Sequence, residues 1–146
     1  MLNNDFKEFA GLLNAHGVEY LVVGGFALAA HGHPRYTGDI DFWVSPEPAN
    51  IARVLLALSD FGFASLGLSA ADFGSDTVVQ LGRPPRRIDL MTGIDGVEFC
   101  GCWARREALQ IDGMALFFIG LDDFKANKLA TGRLKDLADL EALNRS

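Results

Sequence analysis

Apolar residues recur every three or four positions near the start of the chain, which predicts a helix with one buried face formed by Phe6, Phe9, Leu12 and Leu13. Asn3 or Asn4 can cap the start of this helix, and Gly17 can end it. The continuous apolar run 18–23 that follows predicts a buried strand, and after two glycines residues 26–32 suit a short helix.

A second strand is predicted at 40–44, after a loop rich in turn-forming residues. Pro46 and Pro48 then open a helix whose amphipathic stripe consists of Ile51, Val54, Leu55 and Leu58. Gly62 is placed to close this helix.

Two hairpins are predicted in the second half. Residues 77–81 and 87–91 form the first, because the prolines in the Gly-Arg-Pro-Pro-Arg segment between them exclude ladder hydrogen bonds there. In the second hairpin, residues 108–118, Asp112-Gly113 forms a two-residue turn between apolar strands.

Helical patterns at 122–131 and 134–143, separated by Gly132, end the chain as a helix pair. Strand and helix patterns are not separable between residues 96 and 107. The elements together predict an α+β fold with a mixed sheet and flanking helices. At 146 residues, the chain is predicted to form a single domain, 1–146.

Composition narrows the classes of function. Hydrophobic residues make up 49% of the chain, enough for a true core, and 13 basic against 19 acidic residues give a net charge of −6, which argues against a broad nucleic-acid surface. The longest apolar run, 20–30, is too short for a membrane span and no signal peptide is apparent, so a cytoplasmic protein is expected. Cys100 and Cys102 have neither zinc nor redox spacing and are predicted to be free thiols.

Asp39 and Asp41 stand two residues apart, the first directly before the second predicted strand and the other within it. Residues i and i+2 of a strand point to one face, so the two carboxylates project side by side with their Cα atoms about 6 to 7 Å apart. Such a pair repels itself unless a cation joins it, and Mg²⁺ prefers carboxylate oxygens together with substrate phosphates. The alternative is a solvated edge strand with alternating polarity.

Gly24 and Gly25 end the first strand and lead into a helix. Backbone N–H groups at such a turn can bind a phosphate, because no Cβ blocks its approach. A tight strand-to-helix turn is the other interpretation.

These residues resemble a known family. A hydrophobic residue, Gly-Gly, thirteen residues and then Asp-hydrophobic-Asp-hydrophobic is similar to the signature of the nucleotidyltransferase superfamily, which has the fold of DNA polymerase beta. Asp89, within RRIDLMTG, matches the third carboxylate of that family. The resemblance implies that Asp39, Asp41 and Asp89 bind two Mg²⁺ or Mn²⁺ ions that clamp the attacking and leaving oxygens.

A narrower resemblance comes from RYTGDID and from NKLATGRLKDLADLEAL, which look like the small bacterial nucleotidyltransferases related to the AbiEii toxins of toxin–antitoxin systems. It implies that Lys128, and beside it Lys125, neutralise triphosphate charge. Arg35 and Thr37, in the loop before the acids, are further candidates for contacts with the triphosphate.

Other charged residues allow two interpretations. Arg83, Arg86 and Arg87 can contact the phosphates of an acceptor or serve solubility alone. Asp136 and Asp139 share a helix face and are predicted to orient Arg133 or Lys128 by ion pairing.

The expected function is therefore transfer of a nucleoside monophosphate from an NTP to a hydroxyl of RNA, a protein or a small molecule, with release of pyrophosphate. An antitoxin partner and a homodimer through the C-terminal helices are expected as well. The alternatives are a catalytically silent nucleotide-binding module of the same fold and a metal-dependent phosphohydrolase.

Overall fold

A computed structural model describes residues 2–63 and 66–145 of the chain. Within these ranges the helices are α1 Asn4–Ala15, α2 Gly24–Ala30, α3 Pro48–Leu58, α4 Phe99–Ala104, α5 Leu121–Thr131 and α6 Leu134–Asn144. The strands are β1 Tyr20–Val23, β2 Asp39–Val44, β3 Val78–Leu81, β4 Arg87–Met91, β5 Glu107–Ile111 and β6 Met114–Phe118. A π-helical turn, Ser59–Phe63, follows α3, and a short 3₁₀ helix, Ala70–Phe73, precedes β3.

The strands form one sheet in the order β3-β4-β2-β1-β6-β5. Strand β2 runs parallel to β4, and β1 runs parallel to β6, whereas the remaining neighbours are antiparallel. The predicted α+β fold with a mixed sheet and flanking helices is therefore confirmed.

The two faces of β2 have different neighbours. Phe42 points into the core, where its ring lies 5.7 Å from that of Phe9 on α1 and 5.4 Å from that of Tyr20. Trp43 points the other way and meets Phe99 of α4 at 5.1 Å. Since side chains alternate along a strand, Asp39 and Asp41 lie on the same face as Trp43. The packing of Phe42 in the core, on the opposite face, holds in place the strand that carries them.

Several sequence predictions hold in detail. Asn3 caps α1 by accepting a hydrogen bond from the N–H of Phe6 at 2.9 Å. Asp112 and Gly113 both have positive φ, 54° and 79°, as the type I′ turn of the second hairpin requires. Gly132, with φ 65°, ends α5 in the left-handed conformation. The thiols of Cys100 and Cys102 are both free.

Other boundaries differ from the prediction. Strand β1 begins at Tyr20 rather than residue 18, because the N–H of Val18 still bonds to the carbonyl of Leu13 at the end of α1. Strand β2 begins at Asp39, so both acids belong to it. The ambiguous stretch 96–107 contains α4 and the first residue of β5.

The edge-strand alternative for the two aspartates is wrong, since β2 lies between β1 and β4 inside the sheet. Of the helices in 2–63 and 66–145, none has the length and apolar character needed to cross a membrane.

Candidate active site

Three carboxylates meet where β2 and β4 run side by side. The parallel register places Asp41 beside Asp89 and Asp39 beside Arg87. One oxygen from each of Asp39, Asp41 and Asp89 lies within 4.8 Å of the others. Asp89 is only 4% exposed, so its charge needs a nearby partner. The three acids that the sequence nominated are thus brought together on one face of the sheet.

The partner of the acids in the structure is Arg87. Its Nε donates to Asp89 Oδ1 at 3.0 Å, and its Nη2 donates to Asp89 Oδ2 and to Asp39 Oδ2, both at 3.1 Å. The sequence allowed two roles for this arginine, contact with the phosphates of an acceptor or solubility alone. In the structure it forms ion pairs with the acids. Its neighbour Arg86 is largely exposed and lies 3.7 Å from Asp5.

The three carboxyl groups differ in their pKa values. Burial, reinforced by the negative charges of Asp39 and Asp89, raises the pKa of Asp41 to about 8. Burial opposes ionisation of Asp39 as well, but the hydrogen bond from Thr37, the one shared with Asp89 and the charge of Arg87 outweigh it, so its pKa is lowered. The pKa of Asp89 is raised, because burial outweighs the contacts with Arg87.

The glycine pair fits closely around the acids. Gly24 has φ +67°, and a Cβ built on it would lie 2.1 Å from Asp41 Oδ2. A Cβ on Gly25 would lie 3.1 Å from the Cβ of Thr37. Helix α2 begins at Gly24 itself, one residue after β1 ends. The structure therefore explains the glycine at position 24 in a way that the sequence did not reveal: only glycine leaves room for the Asp41 carboxylate.

A network of ion pairs joins α5 and α6 beside the acids. The ammonium group of Lys128, 5% exposed, lies 3.0 Å from Asp139 and 3.3 Å from Asp136. Asp139 also accepts a hydrogen bond from Arg35 at 2.8 Å, and Asp136 accepts one from Arg133 at 2.6 Å. The predicted pairing of the two aspartates with Lys128 and Arg133 is confirmed, and Arg35 joins the same network.

A cavity of about 490 Å³ opens beside Asp39 and Asp41. Its lining includes most of the residues that the sequence nominated: Gly24, Gly25, Arg35, Thr37, Asp39, Asp41 and Lys128. It also includes Arg87, Arg133 and Lys135. Two predicted site residues do not line it: Asp89, which is 4% exposed, and Lys125, one turn before Lys128 on α5.

Lys135 was missed by sequence reasoning. It is exposed and directly precedes Asp136 in the segment RLKD, where no sequence pattern distinguishes it from a charged residue on a solvated helix face. A second cavity, of about 430 Å³, lies at the far end of β2, walled by Trp43, Phe99 and Trp103. The candidate site is assigned to the first cavity, because the acids and the cations converge there.

Asp136 provides a test of the ion-pair network through pH. Burial disfavours its charge, but hydrogen bonds from Arg133, Thr131 and Lys128 outweigh burial and lower its pKa to about 2. A folded-state pKa below the ordinary value means that the stabilisation is present above about pH 4 and is lost as the pH falls toward about 2.

We expect the difference in free energy of unfolding between wild type and Asp136→Asn to shrink by about 1 kcal/mol between about pH 5 and about pH 3. Urea unfolding at the two pH values measures it. A difference that stays constant with pH would show that the Asp136 carboxylate does not depend on its cationic partners.

The donor set suits a hard divalent cation. Three carboxylates offer oxygen ligands at mutually close positions, one of them nearly inaccessible to solvent, and hard cations such as Mg²⁺ take oxygen ligands. Because the pKa of Asp41 is raised, its ionised form is the one that an added positive charge would stabilise most. Asp39, Asp41 and Asp89 are therefore the residues that could hold a metal.

Comparison with solved structures agrees with the fold. A protein from Thermotoga maritima, TM1012, that has been assigned as a nucleotidyltransferase superposes with a TM-score of 0.65 at 18% identity, over 100% of this chain and 97% of that one. An antigenic nucleotidyltransferase-like protein from Paracoccidioides brasiliensis gives a TM-score of 0.56 at 18% identity, over 95% and 74% of the two chains. At this identity the likeness shows the fold.

Comparison of sequences identifies the family. No curated protein matches the chain. Residues 2–144 match the family model described as "Nucleotidyltransferase of unknown function (DUF6036)". The predicted membership of the nucleotidyltransferase superfamily is therefore confirmed, and the chain belongs to this nucleotidyltransferase family.

Proposed function

We propose that the protein transfers a nucleoside monophosphate from an NTP to a hydroxyl acceptor and releases pyrophosphate, with Mg²⁺ or Mn²⁺ held by Asp39, Asp41 and Asp89. The observation that carries the proposal is the meeting of three carboxylates on β2 and β4, two of which, Asp39 and Asp41, line a cavity with cationic walls. Family membership supports the reaction class, and carboxylates are the ligands that such an ion prefers.

The cations of the cavity support a triphosphate substrate. Arg35 and Arg133 are each tied by one hydrogen-bonded carboxylate, which fixes their positions while leaving donors for phosphate oxygens. Lys135 is exposed at the rim. This concentration of positive charge in a protein of net charge −6 favours an anionic ligand at this cavity.

The reaction forms a bond between the acceptor oxygen and the α-phosphorus and breaks the bond from that phosphorus to the bridging oxygen, which leaves with pyrophosphate. Divalent ions at the acids would supply charge neutralisation and favour ionisation of the hydroxyl. Asp89 would accept the proton of the hydroxyl, and the cationic walls of the cavity would hold the phosphates for in-line attack.

Labelled nucleotides test the proposal. The purified protein is incubated with Mg²⁺ or Mn²⁺, each α-labelled NTP in turn, and cellular RNA with protein lysate, beside Asp39→Ala as control. We expect α-label to move into RNA, protein or a small product only with intact Asp39. If no label moves although calorimetry shows metal-dependent NTP binding, the alternative of a catalytically silent nucleotide-binding module is favoured instead.

Lys135 and Lys125 form a matched pair for nucleotide binding. Lys135→Gln removes a charge that lines the cavity, so we expect the Kd for NTP to rise about threefold to tenfold. Lys125→Gln removes an equal charge from α5 outside the cavity and is expected to leave the Kd within about twofold. Calorimetric titration measures both variants. Equal weakening in the two would mean that only net charge matters.

Acceptor and partners are open to the same assays. The labelled fraction identifies the acceptor as RNA, protein or small molecule. A toxin–antitoxin role stays a prediction from the C-terminal sequence pattern, as does a homodimer through α5 and α6, for which light scattering that gives a monomer mass would be the contrary result.

A further inference from the structure

Arg87 occupies the oxygens that a metal would use. Strand β4 places Arg87 and Asp89 on one face, two residues apart, and the parallel register brings Asp39 beside Arg87. The guanidinium bonds both oxygens of Asp89 and one oxygen of Asp39. The other oxygen of Asp39 lies 3.0 Å from the hydroxyl of Thr37. Each of the four oxygens of Asp39 and Asp89 thus already accepts a hydrogen bond, whereas Arg87 donates none to Asp41.

We propose that Arg87 is a tethered counter-cation that competes with divalent metal for Asp39 and Asp89, so that metal binds weakly until a nucleotide is present. The inference rests on the proposed function. An incoming ion must share or take oxygens that the guanidinium holds, and it meets a like charge within a few ångströms. Both effects weaken metal binding in the absence of nucleotide.

The nucleotide offers Arg87 another partner. Its side chain is 30% exposed and lines the same cavity as Arg35, Arg133 and Lys135. A triphosphate bound among these cations brings oxygens that can accept hydrogen bonds from the guanidinium, which frees the carboxylates. Metal and nucleotide then bind with positive coupling, and by linkage each raises the affinity of the other by the same factor.

Manganese binding tests this directly. Free Mn²⁺ is followed by electron paramagnetic resonance at mildly alkaline pH, for wild type, Arg87→Gln and Arg87→Lys, without nucleotide. We expect Arg87→Gln to bind Mn²⁺ about tenfold more tightly than wild type. Arg87→Lys keeps the charge but loses the paired donors of the guanidinium group, so its gain in affinity for Mn²⁺ is expected to be smaller. Arg86→Gln is the control with an unchanged Kd, since Arg86 pairs with Asp5 away from the acids.

A second titration measures the coupling. A non-hydrolysable NTP analogue is expected to tighten Mn²⁺ binding to wild type several times more than to Arg87→Gln. Thermal unfolding establishes that each variant is folded, and Arg87→Lys gives a second readout if the glutamine variant is unstable.

Asp41→Asn distinguishes failure of the competition by Arg87 from failure of the proposed function. If Asp41→Asn loses Mn²⁺ binding while Arg87→Gln binds Mn²⁺ no more tightly than wild type, the competition by Arg87 is overturned and the proposed function stands. If Asp41→Asn binds Mn²⁺ as wild type does, the acids are not the metal site, and both proposals are overturned.

Discussion

Asp41→Asn is expected to reduce nucleotidyl transfer by about a thousandfold or more and to leave the folded protein at least as stable as wild type. Asparagine keeps the shape of the side chain but removes a charged metal ligand, which costs several kcal/mol of transition-state stabilisation. Stability is retained because Asp41 is costly in the metal-free protein. Its pKa is raised to about 8 by burial and by the charges of Asp39 and Asp89.

Label transfer and thermal unfolding measure the two halves of this prediction. Asp112→Asn is a matched control, because it makes the same change in the exposed turn between β5 and β6, where asparagine also tolerates positive φ. It should alter neither quantity. An Asp41→Asn protein that transfers label at the wild-type rate would remove Asp41 from the chemistry.

Gly24→Ala is expected to lower the free energy of unfolding by about 3 kcal/mol or more. The added Cβ would lie 2.1 Å from Asp41 Oδ2, a separation that no relaxed structure permits, and φ +67° adds strain of its own. Because Asp41 must move to make room, transfer should fall as well. Urea unfolding and the label assay measure the two losses.

Gly17→Ala isolates the clash from the backbone strain. Gly17 has the same φ of +67°, but a Cβ there meets nothing within 4 Å. The substitution is expected to cost only about 1 kcal/mol. If both alanine variants were destabilised equally, close packing between Gly24 and Asp41 would not explain the glycine.

Local patterns made much of the fold predictable. Helix α1 and the β5–β6 hairpin depend on neighbours in sequence: Asn3 caps its own helix, and Asp112-Gly113 fixes its own turn. Residues 96–107 resisted prediction because a short helix, Phe99–Ala104, gives too few residues for a period to emerge. Its helical state depends on packing, as in the contact between Phe99 and Trp43.

The candidate site divides in the same way. Asp39 and Asp41 were predictable because two residues on one strand share a face whatever surrounds them. The pairing of Arg87 with Asp39 was not, since the register between β2 and β4 joins residues 48 positions apart. The contact between Gly24 and Asp41 likewise exists only after β1 and β2 have paired.

The reaction itself is tested most directly by the fate of two labels. Each NTP is supplied with the label either at the α-phosphorus or at the γ-phosphorus, with Mn²⁺, wild-type protein and the acceptor fraction. Nucleotidyl transfer predicts that α-label enters the acceptor while γ-label is recovered in pyrophosphate. Release of γ-label as orthophosphate, with no α-label in any acceptor, would contradict the account and identify a phosphohydrolase.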